Sequence, residues 1–416
     1  IGLLPMRLIS VMSTVSCMIF IFLIIKKETK STIVALVCSF LFTGTYGISG
    51  AWFDLAHVDM LSISLMLFSI YLLIYYQTSI IYCIAGILFA LAFFSKQTVL
   101  PVGFALCIYS LFYKKRNLNF IFPLVLIIMI SCGILLLNIV SDGWFSFYTF
   151  TIPRNHGIFS IFESSCYFLV NDIIKNFWPF LLIIILYFLD CIFFKRYKII
   201  IFNILIFGSI FAISWFSRLH YGGFSNVLIP SYIAILLTAG ICFGHTFQSC
   251  DSNSNLKSLS YIKIPKMILI ILCIIQSVIL FYNPLNFIPS KQDKEAGYYF
   301  IEKLKNLKGN VYISNHPYYF MTGKRSYSHE MVIFDVLRGG QKKINRKLLK
   351  NIDEDLLKNR FDYIVIDDNI PSWLSKGIAK NFVLKEEIFI NDSVFRSRSG
   401  NPTRPEYIYE LRSLKK

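Results

Sequence analysis

Residues 60–95 read MLSISLMLFSIYLLIYYQTSIIYCIAGILFALAFFS, 36 positions without one Asp, Glu, Lys or Arg. At 1.5 Å rise per residue a single helix of that length would extend about 54 Å. That is nearly twice the ~30 Å hydrocarbon core of a bilayer. The stretch therefore predicts two membrane helices, broken at the polar Gln77-Thr78-Ser79. A chain that carries such a hairpin places its backbone where water cannot satisfy it, and helices are the structures that solve this.

Working outward, further uncharged apolar runs lie on both sides. Together they give ten expected spans, at about 8–25, 31–49, 60–76, 79–95, 97–113, 119–140, 177–194, 199–216, 227–244 and 265–282. The composition agrees: 56% of the 416 residues are hydrophobic and only 16% charged, where soluble domains carry about 25% charged residues. Disorder and an ordinary soluble enzyme are excluded on that ground. The net charge of +17 does not point to nucleic acid. In residues 1–282 the basic side chains occur in short clusters between apolar runs, as in proteins oriented by the positive-inside rule. With residue 1 outside the cytoplasm, the inner loops hold Lys26, Lys27, Lys30, Lys114, Lys115, Arg116, Lys195, Arg196, Lys198, Lys257, Lys263 and Lys266. The outer loops hold only Arg7, Lys96, Arg154, Lys175 and Arg218. All ten cysteines lie at or before Cys273, mostly within apolar runs, and form no CxxC pair. They read as small buried side chains.

The composition shifts after Pro284. The expected organisation is a membrane domain over 1–284 and a polar domain over 285–416, placed outside the cytoplasm by the topology. Asp293–Leu307 and Leu348–Leu357 read as helices. Val311–Ile313, Phe361–Ile366, Val383–Ile390 and Tyr407–Leu411 read as strands of a small α/β domain. Residues 283–416 carry 24 Lys/Arg against 16 Asp/Glu, a balance that suits acidic glycans or anionic lipid headgroups.

The polar residues of the outer loops recur at four places. Asp54, His57 and Asp59 precede the third span. Lys96, Gln97 and Thr98 follow the fourth. Arg154, Asn155 and His156 sit in an expected long loop over 141–176. Arg218, His220, Tyr221 and Asn226 flank Gly222-Gly223. Ionisable groups at a membrane boundary are costly, so they are paired or functional. Each has a plainer reading. Asp59 would cap a helix, Lys96 would snorkel, and Arg154 and His156 would be solvated loop residues. In the tail, Asn315-His316-Pro317 is either a turn after a strand or a binding loop. No zinc-protease, Walker or dinucleotide pattern is present, and Asp-x-x-His-x-Asp is not a metal spacing.

Four of these segments, in order, resemble the GT-C superfamily of integral membrane glycosyltransferases. They are Arg7-Leu8-Ile9-Ser10, Asp54-Leu55-Ala56-His57-Val58-Asp59, Ser95-Lys96-Gln97-Thr98, and Arg218-Leu219-His220-Tyr221-Gly222-Gly223 running into Asn226 and Pro230. The nearest branch is bacterial and includes protein mannosyltransferases and the lipid A aminoarabinose transferase. The resemblance implies transfer of a sugar from a polyprenyl-phosphate donor to a glycan, lipid or protein acceptor, at the outer face of a bacterial cell membrane. It implies no obligatory cofactor and admits a divalent metal. Lys96, Arg154, Arg218 and His220 would bind the donor phosphate. His57, Gln97, Tyr221, Asn226 and His316 would bind substrate, and Asp54 or Asp59 would act as base. In that family an Arg stands where His57 does, and the main acidic residue lies in a long loop after a first helix. This sequence starts at Ile1, where the second helix would begin, so a missing N-terminal helix and loop are expected, and the family's main acidic residue has no position among these residues. The competing readings are a transporter or flippase, which needs charges near the bilayer midplane, and a non-catalytic envelope scaffold.

Overall fold

The computed structural model describes residues 3–115, 118–249, 265–314, 319–324, 329–339, 342–358, 360–367, 370–400 and 402–412. The chain divides into two compact units. One comprises residues 1–145 and 158–282, the other residues 146–157 and 283–416.

The first unit is helical. Helices α1 (Leu4–Thr29), α2 (Thr32–Gly44), α3 (Asp59–Tyr75), α4 (Ser79–Ser95), α5 (Leu100–Tyr113) and α6 (Ile121–Val140) come first. Longer helical segments follow at Ile161–Phe193, Tyr197–Leu219, Ser225–Phe247 and Lys266–Phe287. The break between α3 and α4 falls at the polar triplet. Thr78 caps α4 there by accepting from the Ile81 amide at 3.4 Å, as the hydroxyl of an N-cap residue does. Ser31 caps α2 in the same way.

Six helices, α1, α6 and the four later segments, are long and apolar enough to cross a membrane among the described residues. Six of the ten expected spans meet this measure. The stretches over 31–49, 60–76, 79–95 and 97–113 form shorter apolar helices of 10–17 residues. The expected loop over 141–176 is corrected. Its second half is helix from Ile161, which continues through a π-helical turn at Phe168–Ile174 into Lys175–Phe193. Asp172 within this helix is ion-paired to Arg218 (Nε to Oδ2, 2.9 Å), which offsets the cost of an acid in an apolar stretch.

The Ser225–Phe247 helix is the centre of the unit, 89% buried, while α6 is only 11% buried. Lipid chains are as apolar as leucine, so helix association here depends on close packing. Gly240 faces Ile25 and Cys38, and Gly244 faces Thr29, at distances that leave no room for a Cβ. Between α3 and α4, Ser62 and Ser69 donate to the carbonyls of Ala92 and Ala85, both at 2.8 Å.

Polar contacts gather at the two ends of these helices. At one end Ser10 of α1 donates to the His57 carbonyl just before α3. At the other, Tyr75 of α3 donates to Glu28 of α1 at 2.6 Å. Eighteen residues of helix separate Ser10 from Glu28, about 27 Å, close to the thickness of a hydrocarbon core.

The second unit holds a four-stranded sheet of β1 (Val311–Ile313), β2 (Tyr363–Ile366), β3 (Phe382–Glu387) and β4 (Tyr407–Leu411), in the order β1-β2-β4-β3. β1 and β2 are parallel, and the other pairs antiparallel. Successive strand residues face opposite sides. Val311, Ile313, Tyr363 and Val365 join Phe300 and Leu304 of the Lys291–Asn306 helix in one cluster. Tyr312, Ile364 and Ile366 join Ile333, Leu356 and Leu374 in the other. The expected strand to Ile390 stops at Glu387. Two helices that the sequence reading had not assigned, Glu330–Gly339 and Ser372–Asn381, cover the second face together with Lys342–Leu357.

Ser290 and Asp293 form a capping box at the start of the Lys291–Asn306 helix. Burial pushes the Asp293 carboxyl up, but Arg398 and the Ser290 and Phe395 amides outweigh it and hold the carboxyl well below the usual range. The segment over 146–157 packs against the Glu330–Gly339 helix. Asn155 donates to the Gly339 carbonyl at 2.9 Å, and His156 lies 3.7 Å from Asp335. A side chain at Gly339 would overlap the Ile152 backbone.

Glu330 is buried beside Asp367 and Ser314, where β1 and β2 end. Burial first, and the Asp367 carboxylate second, push its carboxyl up from 4.5 to about 7. The folded unit therefore holds a proton on Glu330 that the unfolded chain releases above pH 4.5. Stability is full below that value and falls as the pH rises towards about 7. Glu330→Gln is expected to match the parent protein at pH 4 and to exceed it at pH 8 by up to about 3 kcal/mol. Thermal unfolding of both proteins at the two pH values checks this.

Candidate functional site

α2 ends at Gly44, and the chain must turn before α3 can begin at Asp59. Gly50 and Ala51 make the turn with φ of 71° and 58°, and the Ala51 amide donates to the Tyr46 carbonyl at 2.9 Å. For Ala51, a residue with a Cβ, that backbone is strained. The turn sends the segment Trp52–Val58 across the start of α1. There Thr14 and Ser10 donate to the carbonyls of Phe53 and His57, at 3.0 and 3.1 Å.

Two carboxylates are fixed by this arrangement. Asp54 is ion-paired to Arg7, whose Nε also donates to the Asp54 carbonyl at 3.0 Å. The Tyr46 hydroxyl donates to Asp54 Oδ1 at 2.9 Å. Asp59 is 2% exposed. It does not cap α3: Val58 holds the N-cap position, without a side-chain bond. Its carboxylate is bonded to His57 Nδ1 and Lys96 Nζ, and Asn226 Nδ2 donates to it at 3.2 Å. Standing in the first turn of α3, it also meets the positive end of the helix dipole.

Lys96 reaches Asp59 because α4 ends at Ser95. Lys96 itself is extended before the 3₁₀ turn Gln97–Val99. Asn226 reaches it from the 3₁₀ turn Ser225–Leu228, which starts the central helix. Asp59, Lys96, Thr98, Ser217, Asn226 and Pro230 line a small crevice at this end of the unit. Beside it the Trp52 ring stands edge-on to His57, with centroids 5.1 Å apart. The Trp52 indole N–H is buried with no hydrogen-bond partner among the described residues. Such a donor is costly unless a ligand or water completes it.

Arg218 is held as well. Its Nε donates to Asp172 Oδ2 at 2.9 Å, Nη2 to Oδ1 at 3.4 Å, and Nη1 to the Gly223 carbonyl at 2.5 Å. The guanidinium also stacks over Tyr167. Asp172 thus anchors Arg218, and Arg218 anchors the loop that presents Asn226. Gly223 is required in that loop because a Cβ would overlap the Ser217 carbonyl and crowd Arg218. Gly223→Ala is expected to lower stability by about 1–3 kcal/mol, the cost of forced overpacking. Thermal unfolding in detergent measures that loss.

The structure therefore brings His57, Asp59, Lys96 and Asn226 into one bonded cluster. Asp54 is tied to Arg7 and Tyr46 rather than to that cluster. Gln97 follows Lys96 in the 3₁₀ turn. His220 Nδ1 donates to the Phe216 carbonyl at 2.8 Å, and Tyr221 packs on Phe159 with ring centroids 4.1 Å apart. Arg154 is exposed and belongs to the second unit. His316 lies outside the described residues. Asp172, Tyr46 and the orphaned Trp52 N–H were not read as site groups from the sequence. Asp172 carried a signal, being an acid inside an apolar stretch. No group of three or more His, Cys, Asp or Glu able to hold a metal occurs among the described residues.

Residues 2–138 match the model of a family described as dolichyl-phosphate-mannose-protein mannosyltransferase. The matched stretch contains Arg7, Asp54, His57, Asp59 and Lys96, whereas Asp172, Arg218 and Asn226 lie beyond it. No curated protein and no solved structure matches the chain.

Proposed function

We propose that the protein is a membrane glycosyltransferase of the GT-C type, which moves a sugar from a polyprenyl-phosphate donor to an acceptor at the face where Asp59 and Lys96 meet. The observation that carries this reading is the coincidence of two findings. The stretch similar to a mannosyltransferase family is the one that supplies the His57–Asp59–Lys96 cluster around the buried Asp59 carboxylate. In this reading, which the Lys/Arg bias supports, that face lies outside the cytoplasm of a bacterial cell, as the resemblance implies.

The chemistry follows from the charges. When the sugar leaves, its carrier phosphate gains negative charge and needs a cation more than it needs an acid. Lys96 stands ready to supply one, with Asp59 as its resting counter-ion. His57 and Asn226 flank the same carboxylate, and the Trp52 N–H offers a donor to a phosphate or sugar oxygen. Arg218 is committed to Asp172 and Gly223, so in this reading it shapes the loop and supplies field rather than a free hand. Asp54 and Asp59 are both engaged by cations, which favours a counter-ion role over that of base. As the bond to the acceptor forms and the sugar–phosphate bond breaks, the acceptor's proton goes to the departing carrier phosphate, which gains the charge to take it. The acceptor is a glycan, lipid or protein hydroxyl or amine.

The test is transfer from labelled polyprenyl-phosphate sugars, with the full chain in membranes. Lys96→Gln should lower the rate by about 10²–10³-fold, the usual cost of one transition-state donor. Absence of both transfer and donor binding across a broad donor panel would overturn the proposal.

A further inference from the structure

The helix Lys342–Leu357 in the second unit has two unlike faces. Leu348, Ile352 and Leu356 pack into the cluster behind the sheet. On the opposite side Lys342, Lys343, Arg346, Lys347 and Lys350 are all exposed. At 100° per residue those five positions cover a continuous arc of about 140°. From Arg338 to Ile352 there is no acidic residue. The acids of this helix, Asp353, Glu354 and Asp355, are confined to its end, where Glu354 accepts from Lys358 and Asp355 from Arg360.

This distribution is the reverse of what helix electrostatics favours. The positive end of the helix dipole lies at the first turn, where acids stabilise and bases destabilise. The first turn here has no acid and begins with two lysines. Among the described residues, only Lys350 of the five comes within ion-pair distance of a carboxylate, Glu354 at 3.7 Å. The stripe is thus a concentrated, outward field that the fold itself does not neutralise.

We infer that this basic stripe docks on the anionic headgroups of a bilayer. Two further features favour lipid. The second unit resumes at Asn283, at the end of the apolar Lys266–Phe287 segment, so the chain tethers it to a membrane span. The stripe also runs along the helix axis as a row of exposed cations, which suits a plane of phosphates. Polybasic segments adsorb to anionic leaflets in this way, within a Debye length of the surface. The inference is independent of the proposed transferase activity.

Hydrogen–deuterium exchange of the helix tests it, using the full chain in nanodiscs with and without anionic phospholipid. Amides of the Lys342–Leu357 helix should exchange roughly threefold or more slowly in anionic discs, because docking stabilises the helix by mass action. High salt should remove the difference. The variant Lys342→Glu/Lys343→Glu/Arg346→Glu/Lys347→Glu should keep the helix, since acids suit its first turn, and lose the lipid dependence. Equal exchange in both discs would overturn the inference. So would protection by a soluble acidic oligosaccharide in neutral discs with none from anionic lipid.

Discussion

Asp59→Ala is expected to cost about 3–5 kcal/mol of stability, the range for removing one partner of a buried ion pair, and to abolish transfer. The loss is large because one carboxylate serves three groups: His57, Lys96 and Asn226 all bond to it, and it is almost wholly buried. Alanine leaves the Lys96 ammonium facing the crevice with no counter-charge. The comparison that identifies the cause is the double variant Asp59→Leu/Lys96→Met. Replacing both charges by apolar groups should restore much of the stability while transfer stays absent. Thermal unfolding in detergent and the transfer assay separate the two effects. If Asp59→Ala unfolds like the parent protein, the cluster is not a buried charge network.

Arg404→Met is expected to be as damaging in the second unit. Arg404 is fully buried and spends its whole guanidinium on neighbours. Nε and Nη2 meet Glu406 at 2.6 and 3.1 Å. Nη1 donates to the carbonyls of Asn391 and Val394, both at 2.7 Å, and Nη2 also to Asp392 at 3.2 Å. The plane lies over Phe389, 5.0 Å from its centroid. Methionine fills the volume but leaves Glu406 with Arg396 as its remaining ion partner and two carbonyls unmet, again about 3–5 kcal/mol. Lysine should not rescue it, because a single ammonium cannot copy the planar fork. Limited proteolysis reports the result directly. Cleavage within residues 388–406 should accelerate in both variants and not in the parent.

Apolar runs were enough to locate the helices, because burial in lipid or protein demands uninterrupted hydrophobic sequence. Span length was less readable. A run over 31–49 looks long enough, yet α2 stops at Gly44 and the remaining residues build the turn that carries Asp54. The loop expected over 141–176 contains Asp172, an acid that sits in the helix because it is paired, and its partner Arg218 lies 46 residues away. Pairing at that distance leaves no local trace. Likewise Asp59 read equally well as a cap or a site residue, and only the approach of Lys96 and Asn226 from two other elements decides between them. In the polar unit β1, β2 and β4 were legible from their apolar runs. The Glu330–Gly339 helix was not, because its ten residues carry too few turns for a period to show.

The segment over 146–157 lies, along the chain, between two helices of the first unit, yet it packs with the second. A ribosome making this protein completes that segment long before its partner exists. Asn155 and the Gly339 carbonyl that it bonds are 184 residues apart. At 5–20 residues per second the wait is roughly 10–40 s. During that time Ile152 has no Gly339 to sit against, and the apolar residues of the segment must rest on lipid, on a chaperone or on one another. Completion of the second unit is thus a late event in the life of each molecule, and a ribosome stalled before residue 339 leaves the segment over 146–157 without its partner.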